Sequence, residues 1–232
     1  WVSGPEDLAP PEYFWGYNKM TTIRGLFAAG DGVGAAPHKF SSGSFTEGRL
    51  AAKAAVNFLT DHTTMPKIDT SQIRERQEAI WAPLQTFDQY KMASTSEEIN
   101  PHYLTPKQGL ARLQKIMDEY AGGVSSWLTT NGPTLERGIQ LIEMLREDLG
   151  HLAARDTHEL MRCWELAHRT WVGEAHMRHM LHRKETRWPG YYYRADYPDL
   201  DDVNWRVFVN SRYDPNRDHW ELNTKPYLKL FT

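Results

Sequence analysis

A short apolar run, a glycine turn and a helix of small residues follow one another near the start of this chain and constrain its fold most strongly. Residues 26–29 are apolar, Gly30 and Asp31 follow, and residues 32–43 are rich in glycine and serine. The pattern predicts a buried strand, a turn, a loop and a helix from about Ser44. The N-terminus of such a helix presents unpaired N–H groups and a partial positive charge, which suit an anionic group.

The spacing of this segment excludes the two generic glycine motifs for nucleotides. A P-loop requires G-x-x-x-x-G-K-[ST], and the sequence contains no such string. A dinucleotide fingerprint must open directly into a helix, whereas Gly30, Gly32 and Gly34 are followed by Pro37 and a charged loop. Spacing alone therefore leaves two interpretations open, ordinary strand-loop-helix packing and a ligand-binding loop.

The residues themselves resemble a known superfamily. GLFAAGD at 25–31, followed by a loop and a helix start of glycine, serine and an aromatic residue, resembles the second FAD-binding segment of the fumarate reductase and succinate dehydrogenase flavoproteins. Within that superfamily, APHKFSSGSFTEGR at 36–49 resembles the alpha subunits of dissimilatory adenylylsulfate reductases. The likeness continues through residues 113–123, 152–169 and 178–198, so it covers essentially the whole chain.

The resemblance implies an FAD-dependent oxidoreductase of dissimilatory sulfur metabolism that interconverts adenylylsulfate with AMP and sulfite. It implies that iron–sulfur clusters on a beta subunit exchange electrons with the flavin. His38 is the implied catalytic residue, because the family places a histidine of this loop at the substrate face of the flavin. An imidazole can donate a proton to an anionic oxygen at neutral pH. Lys39 would add a positive charge beside it.

The resemblance also implies a set of FAD-binding residues. Asp31 occupies the position of a family carboxylate that accepts hydrogen bonds from FAD hydroxyls. The backbone N–H groups of Ser44 and Phe45 would hold the O2 and N1 edge of the flavin, where negative charge collects on reduction. The full set of cofactor-binding residues is Gly30, Asp31, Lys39, Ser44 and Phe45.

Two alternative functions remain open. Fumarate reductase and succinate dehydrogenase flavoproteins typically carry H-G-x-N-R-x-G before the helix, with the arginine clamping a carboxylate. Here Lys39 stands in place of that arginine and Ser41 and Ser42 replace the glycines, which argues against a dicarboxylate substrate. The other alternative is a non-catalytic helical interaction module, which would lack the absorbance of a bound flavin.

The predicted fold class is α/β plus mainly α, in three parts. Residues 1–66 are predicted to be the C-terminal segment of an FAD-binding domain, 67–187 a helical bundle domain, and 188–232 an aromatic loop with a β-hairpin tail. The chain starts at Trp1 without a signal-peptide pattern, so we expect it to belong to a longer protein and to be inactive alone.

Helical periodicity predicts four helices that form the bundle. Their start signals are Ser71, the pair Thr105-Pro106, Pro133, and a capping box at Asp156, from which the last helix runs to about Glu185. Beyond residue 188 the sequence predicts short strands at 206–209 and 220–222 around a turn.

Charge and hydropathy bear on whether the protein binds nucleic acid or lies in a membrane. Charged residues make up 25% of the chain and the formal net charge is −3, so no basic field for binding nucleic acid is expected. No apolar run approaches the roughly 20 residues of a membrane span, so the chain is not expected to be membrane-embedded.

The single cysteine, Cys163, has consequences for redox chemistry. It excludes an internal disulfide, which fits a reducing cytoplasm. A cysteine-ligated iron–sulfur cluster needs about four thiolates, so any cluster must lie on a partner. Cys163 itself is predicted to be a buried small hydrophobic residue. Aromatic residues at 1–17 and 188–197, including Tyr191 and Tyr192, are candidate contacts for that partner.

Two polar clusters are predicted to be structural. His176, His179 and His182 lack a zinc signature and drift around a helix, so we predict that they bind no metal and interact favourably with the dipole at the helix C-terminus. Residues 183–187, followed by 196–198, resemble the R-x-E-x-R and D-x-P signature of the same superfamily. We interpret this cluster as an ion-paired loop that pins the bundle to the flavin domain.

Overall fold

The computed structural model describes residues 1–33, 40–187 and 190–226 and divides into two compact units. The first covers Trp1–Asp69 and the second begins at Thr70. Within these ranges the chain is mainly helical, with two two-stranded sheets. The described helices include none that is long and apolar enough to cross a membrane. The three-part domain division stays a prediction.

The strand expected at residues 26–29 is not formed. Phe27 makes one isolated antiparallel bridge with Met20, and the side chain of Leu26 is exposed. An apolar run becomes a regular strand only where a neighbouring segment supplies a ladder of hydrogen-bond partners. The described part of the first unit supplies a single bridge at this position, so the strand prediction is wrong here.

The long helix of the first unit, α1, spans Ser41–Asp61 and therefore starts three residues earlier than predicted. Phe40 occupies the N-cap position with an extended backbone and makes no side-chain capping hydrogen bond. One face of α1 is buried, and its buried residues are Glu47, Ala51 and Ala54. These three residues are spaced at i, i+4 and i+7, so they form a single stripe along one face of the helix.

The second unit is built on four helices: α2 (Thr70–Tyr90), α3 (Pro106–Tyr120), α4 (Gly132–Asp148) and α5 (Thr157–His182). Three of them, α3, α4 and α5, pack against one another around a common apolar core. Helix α2 contacts α5, but it has no buried residue. The predicted bundle therefore has three core helices and one peripheral helix. Core side chains include Leu113, Leu135, Ile142, Leu145, Leu166 and Met177.

The core helices begin at side-chain caps. Thr105 forms a complete capping box at the start of α3, and the Asn131 side chain accepts a hydrogen bond at the start of α4. Asp156 accepts from the Glu159 N–H at 2.8 Å, but the Glu159 carboxylate accepts from the Arg155 N–H and not from Asp156. The capping box predicted at Asp156 is therefore incomplete, because the Glu159 carboxylate binds the N–H of the residue before Asp156. Helix α5 ends three residues earlier than expected. Such caps contribute about 1 kcal/mol each.

The tail folds as predicted into a β-hairpin, with longer strands. A short helix, α6 (Asp202–Trp205), precedes β3 (Val207–Asp214), which pairs antiparallel with β4 (His219–Pro226). A second, unpredicted sheet joins β1 (Thr129–Thr130) in parallel with β2 (Tyr193–Arg194). This pairing ties the start of α4 to the segment that follows α5.

Cys163 lies on the core face of α5 and is buried, as predicted. Its thiol donates to the Ala153 carbonyl at 3.7 Å. Burial raises the pKa of the thiol to about 12. Because the thiolate is the form that ligates metals, this cysteine is unsuited to hold a cluster.

Candidate functional site

The glycine turn and the start of α1 lie side by side in the first unit. Residues Gly30–Gly32 form a short 3-10 turn, and Gly30 adopts a left-handed backbone with φ +63°. A Cβ atom at Gly30 would lie 3.3 Å from the Ser44 hydroxyl oxygen. Glycine is therefore required here both by conformation and by the close approach of the helix. The fold brings two of the expected cofactor-binding residues, Gly30 and Ser44, into contact.

The start of α1 fixes which backbone N–H groups are left without a partner inside the helix. The Ser44 N–H donates to the Phe40 carbonyl at 2.9 Å, so it belongs to the internal hydrogen bonding of the helix. Phe45 is one residue further inside α1, and its side chain is 80% exposed. The N–H groups that a helix cannot pair internally are those of residues 41–43. The helix thus starts earlier than the sequence indicated, and the backbone role expected of Ser44 and Phe45 stays a prediction.

Of the remaining predicted site residues, the structure describes Asp31. Asp31 is exposed in the turn, where its carboxylate is accessible to a ligand. His38 and Lys39 lie outside the described residues, so their roles stay predictions.

Sequence reasoning missed the buried carboxylate of Glu47, which binds the glycine turn through a hydrogen bond. Its Oε2 atom accepts the Gly30 N–H at 2.7 Å, and Lys19 Nζ lies 3.2 Å from Oε1. A signal was present, since Glu47 shares the buried stripe of α1 with Ala51 and Ala54. A carboxylate at such a position needs a partner of opposite charge.

Glu185 is the centre of a second polar cluster, at the end of α5. Its fully buried carboxylate accepts hydrogen bonds from Arg183 at 2.6 Å, from Arg187 at 2.7 Å and from the Asp201 N–H at 3.0 Å. Burial alone would raise the pKa of Glu185, but these hydrogen bonds outweigh it and hold the pKa below its ordinary value. Arg183 also donates to the Val207 carbonyl at the start of β3.

Arg194 extends the same cluster and is almost completely buried. Its guanidinium makes a bidentate pair with Asp196, at 2.9 and 2.8 Å, and donates to the carbonyls of Met180 and Arg183. Asp196 also accepts the Gly132 N–H at 2.9 Å. The predicted ion pairing of this loop is confirmed. Its described partners are the end of α5, the start of α4 and the tail, so its pinning of the bundle to the flavin domain stays a prediction.

Two of the three histidines, His179 and His182, lie in the last turn of α5. Burial lowers the pKa values of His176, His179 and His182, which disfavours the charged imidazole. This lowering weakens the expected interaction with the helix dipole, which stays a prediction. Across the described ranges, no group of three His, Cys, Asp or Glu residues is placed to hold a metal ion.

The two tyrosines proposed as partner contacts differ in environment. Tyr191 is 78% exposed, in keeping with a contact role. Tyr192 packs against the core of the bundle, and burial raises the pKa of its phenol. Tyr191 is thus the more exposed of the two, and the contact role of both stays a prediction.

Comparison with known proteins places this chain among flavoproteins. Residues 110–229, about half of the chain, match the family model of the fumarate reductase flavoprotein C-terminal domain. The chain is 44% identical over 237 residues to the adenylylsulfate reductase subunit alpha of Megalodesulfovibrio gigas. This match covers 99% of the chain and 36% of that subunit.

Solved structures give the same result. The adenylylsulfate reductase of Archaeoglobus fulgidus superposes with a TM-score of 0.95 at 57% identity, covering 99% of this chain and 36% of that one. An adenosine-5-phosphosulfate reductase structure described as a covalent adduct with sulfite matches with the same values. The E. coli quinol fumarate reductase FrdA shares the fold at a TM-score of 0.66 and 20% identity, over 88% of this chain and 34% of that one. The chain thus spans about a third of the length of the relatives it matches.

Proposed function

This chain belongs to the fumarate reductase flavoprotein C-terminal family, and from that premise we propose that it forms part of an FAD-dependent reductase that interconverts adenylylsulfate with AMP and sulfite. The observation that carries the proposal is the identity of 57% and 44% to adenylylsulfate reductases over 99% of the chain. Identity to the fumarate reductase is 20%, a level at which only the fold is shared.

In this proposal, residues 1–66 complete an FAD-binding domain, 67–187 form a helical domain and 188–232 a tail. The start of α1 fits the edge of a flavin, because residues 41–43 combine unpaired N–H groups with side chains no larger than serine. Gly30 leaves room where a Cβ would crowd Ser44, and Asp31 is exposed for hydrogen bonds with hydroxyl groups. The bound FAD would supply two-electron transfer.

The substrate roles fall to the loop before α1. Adenylylsulfate, AMP and sulfite are all anions. In the reductive direction, two electrons reduce the sulfur of adenylylsulfate as the bond between this sulfur and the phosphate oxygen of AMP breaks. Lys39 would hold a negatively charged oxygen, and His38 would donate a proton to the departing oxygen or take it up in the reverse direction. The partial positive charge at the start of α1 favours the same anionic groups.

The burial and raised pKa of Cys163 bear on where the electron-transfer clusters lie. Cys163 is buried and its pKa is raised to about 12, so the 232 residues offer no thiolate for a cluster. Because the relative from Megalodesulfovibrio gigas is a subunit alpha, we assign the iron–sulfur clusters to a separate beta subunit, in a reducing compartment such as the cytoplasm. The exposed Tyr191 is a candidate contact for it.

The proposed function predicts which substrates drive turnover. In the complete flavoprotein that contains this chain, sulfite and AMP supplied together with an electron acceptor should yield adenylylsulfate, which is quantified as the product. Sulfite without AMP and AMP without sulfite are the controls, because neither alone can give adenylylsulfate. Product is measured and not flavin absorbance, because sulfite can add covalently to a flavin and bleach it without turnover. Reduction of the acceptor by succinate would support a fumarate reductase-like enzyme, and a protein without flavin would support an interaction module.

A further inference from the structure

The carboxylate of Glu47 occupies a position where the packing of α1 calls for an apolar side chain. Glu47 is 7% exposed and shares its stripe with Ala51 and Ala54. Burying a charged carboxylate is unfavourable unless hydrogen bonds and an opposite charge compensate for it. The partners of Glu47 therefore indicate why a charge is placed there.

Two segments that precede α1 meet at this carboxylate. The Gly30 N–H donates to Oε2 at 2.7 Å, and Lys19 Nζ donates to Oε1 at 3.2 Å. The backbone of Lys19 is left-handed, with φ +65°, an uncommon conformation for a residue other than glycine. It is held by hydrogen bonds from the Lys19 N–H to the Ser3 carbonyl and from the Ala28 N–H to the Lys19 carbonyl, both 2.9 Å.

These contacts fix the turn relative to the start of α1. The Glu47 carboxylate accepts the Gly30 N–H, and the Ser44 hydroxyl oxygen lies 3.3 Å from the position that a Cβ atom of Gly30 would occupy, so two residues of α1 pack closely against the turn. We infer that Glu47 is a positioning residue of the flavin site. It holds the turn that carries Asp31 against α1, and its ion pair with Lys19 offsets the charge of that lysine near the start of the helix. This inference rests on the proposed function.

The charge balance has a measurable consequence. In the ion pair, the negative charge of Glu47 offsets the positive charge of Lys19 near the start of α1, where the helix dipole also acts. Loss of the carboxylate charge would leave the lysine cation uncompensated close to that start. An added positive charge favours the reduced, anionic form of a flavin bound there, because the two attract through a medium of low dielectric constant.

The test is the midpoint potential of the flavin in the complete protein. Glu47→Gln keeps an oxygen that can accept the Gly30 N–H but removes the charge, so we expect the potential to rise above that of the wild type. The double variant Glu47→Gln with Lys19→Met removes both charges, and its potential should return towards the wild-type value. A merely structural role of Glu47 would not produce this rise and return.

Asp61→Asn is the matched control, because it removes one carboxylate from the same helix. At 1.5 Å per residue, Asp61 lies about 20 Å further from the helix start than Glu47, so the potential should stay at the wild-type value. If Glu47→Gln fails to retain flavin, Lys19→Met supplies the opposite charge change, and a lower potential is expected.

The outcomes separate this inference from the proposed function. Wild-type protein that holds flavin, with an unchanged or lowered potential in Glu47→Gln, would overturn the positioning role and leave the proposed function standing. A wild-type protein that binds no flavin would overturn both.

Discussion

Replacing His38 with alanine in the complete flavoprotein should lower the turnover of adenylylsulfate by about 10²- to 10⁴-fold, the usual contribution of a positioned acid or base. The flavin spectrum should stay nearly unchanged, since His38 is assigned to the substrate and not to the cofactor. Steady-state rates and the visible spectrum of the purified variant measure the two effects separately.

His158→Ala is the matched control for this prediction. His158 is an exposed residue in the first turn of α5 and is not one of the proposed site residues. It should retain wild-type turnover. A His38→Ala enzyme with the rate of the His158→Ala enzyme would show that His38 has no catalytic role.

Replacing Glu174 with alanine should strongly destabilise the bundle. Its carboxylate on α5 is fully buried and accepts hydrogen bonds from Arg146 at 2.8 Å, from Arg178 at 2.9 Å and from the Trp220 indole N–H at 2.7 Å. Removal leaves two partly buried cations and an indole donor without their acceptor. We expect a loss of about 3 to 5 kcal/mol. For a unit of this size, that corresponds to a fall in melting temperature of roughly 6 to 20 °C.

Glu165→Ala provides the comparison on the same helix. Glu165 pairs with Arg162 at 2.7 Å, but both side chains are substantially exposed, so water and ions screen the pair. Its loss should change stability by no more than about 0.5 kcal/mol. Thermal unfolding of both variants checks the difference, and equal melting temperatures would show that the Glu174 cluster does not hold the hairpin to the bundle.

The core helices could be predicted because their signals are local. Thr105 and Asp156 cap helices whose apolar residues recur at helical spacing, and the tail hairpin follows its turn residues. The prediction of a strand at residues 26–29 was wrong because a strand needs a neighbouring segment to pair with, and the local sequence does not reveal one. The start of α1 was misplaced because Phe40 supplies no side-chain cap to mark it.

The polar clusters show a second limit of sequence reasoning. The motif around Glu185 indicated ion pairing, but the partners Asp201 and Val207 are brought to it by the fold of the tail. Glu47 was part of a recognised motif, yet its role depends on Lys19, which lies far away in the sequence. Residue types and helical faces can be read locally, whereas contacts between distant segments require the structure.

The most direct test of the proposed function is product formation by the complete flavoprotein. The protein is chemically reduced and incubated with adenylylsulfate, and AMP and sulfite are quantified, with fumarate as the competing substrate. We expect AMP and sulfite to appear in equal amounts and no succinate to form from fumarate. Formation of succinate, with no sulfite from adenylylsulfate, would contradict the assignment.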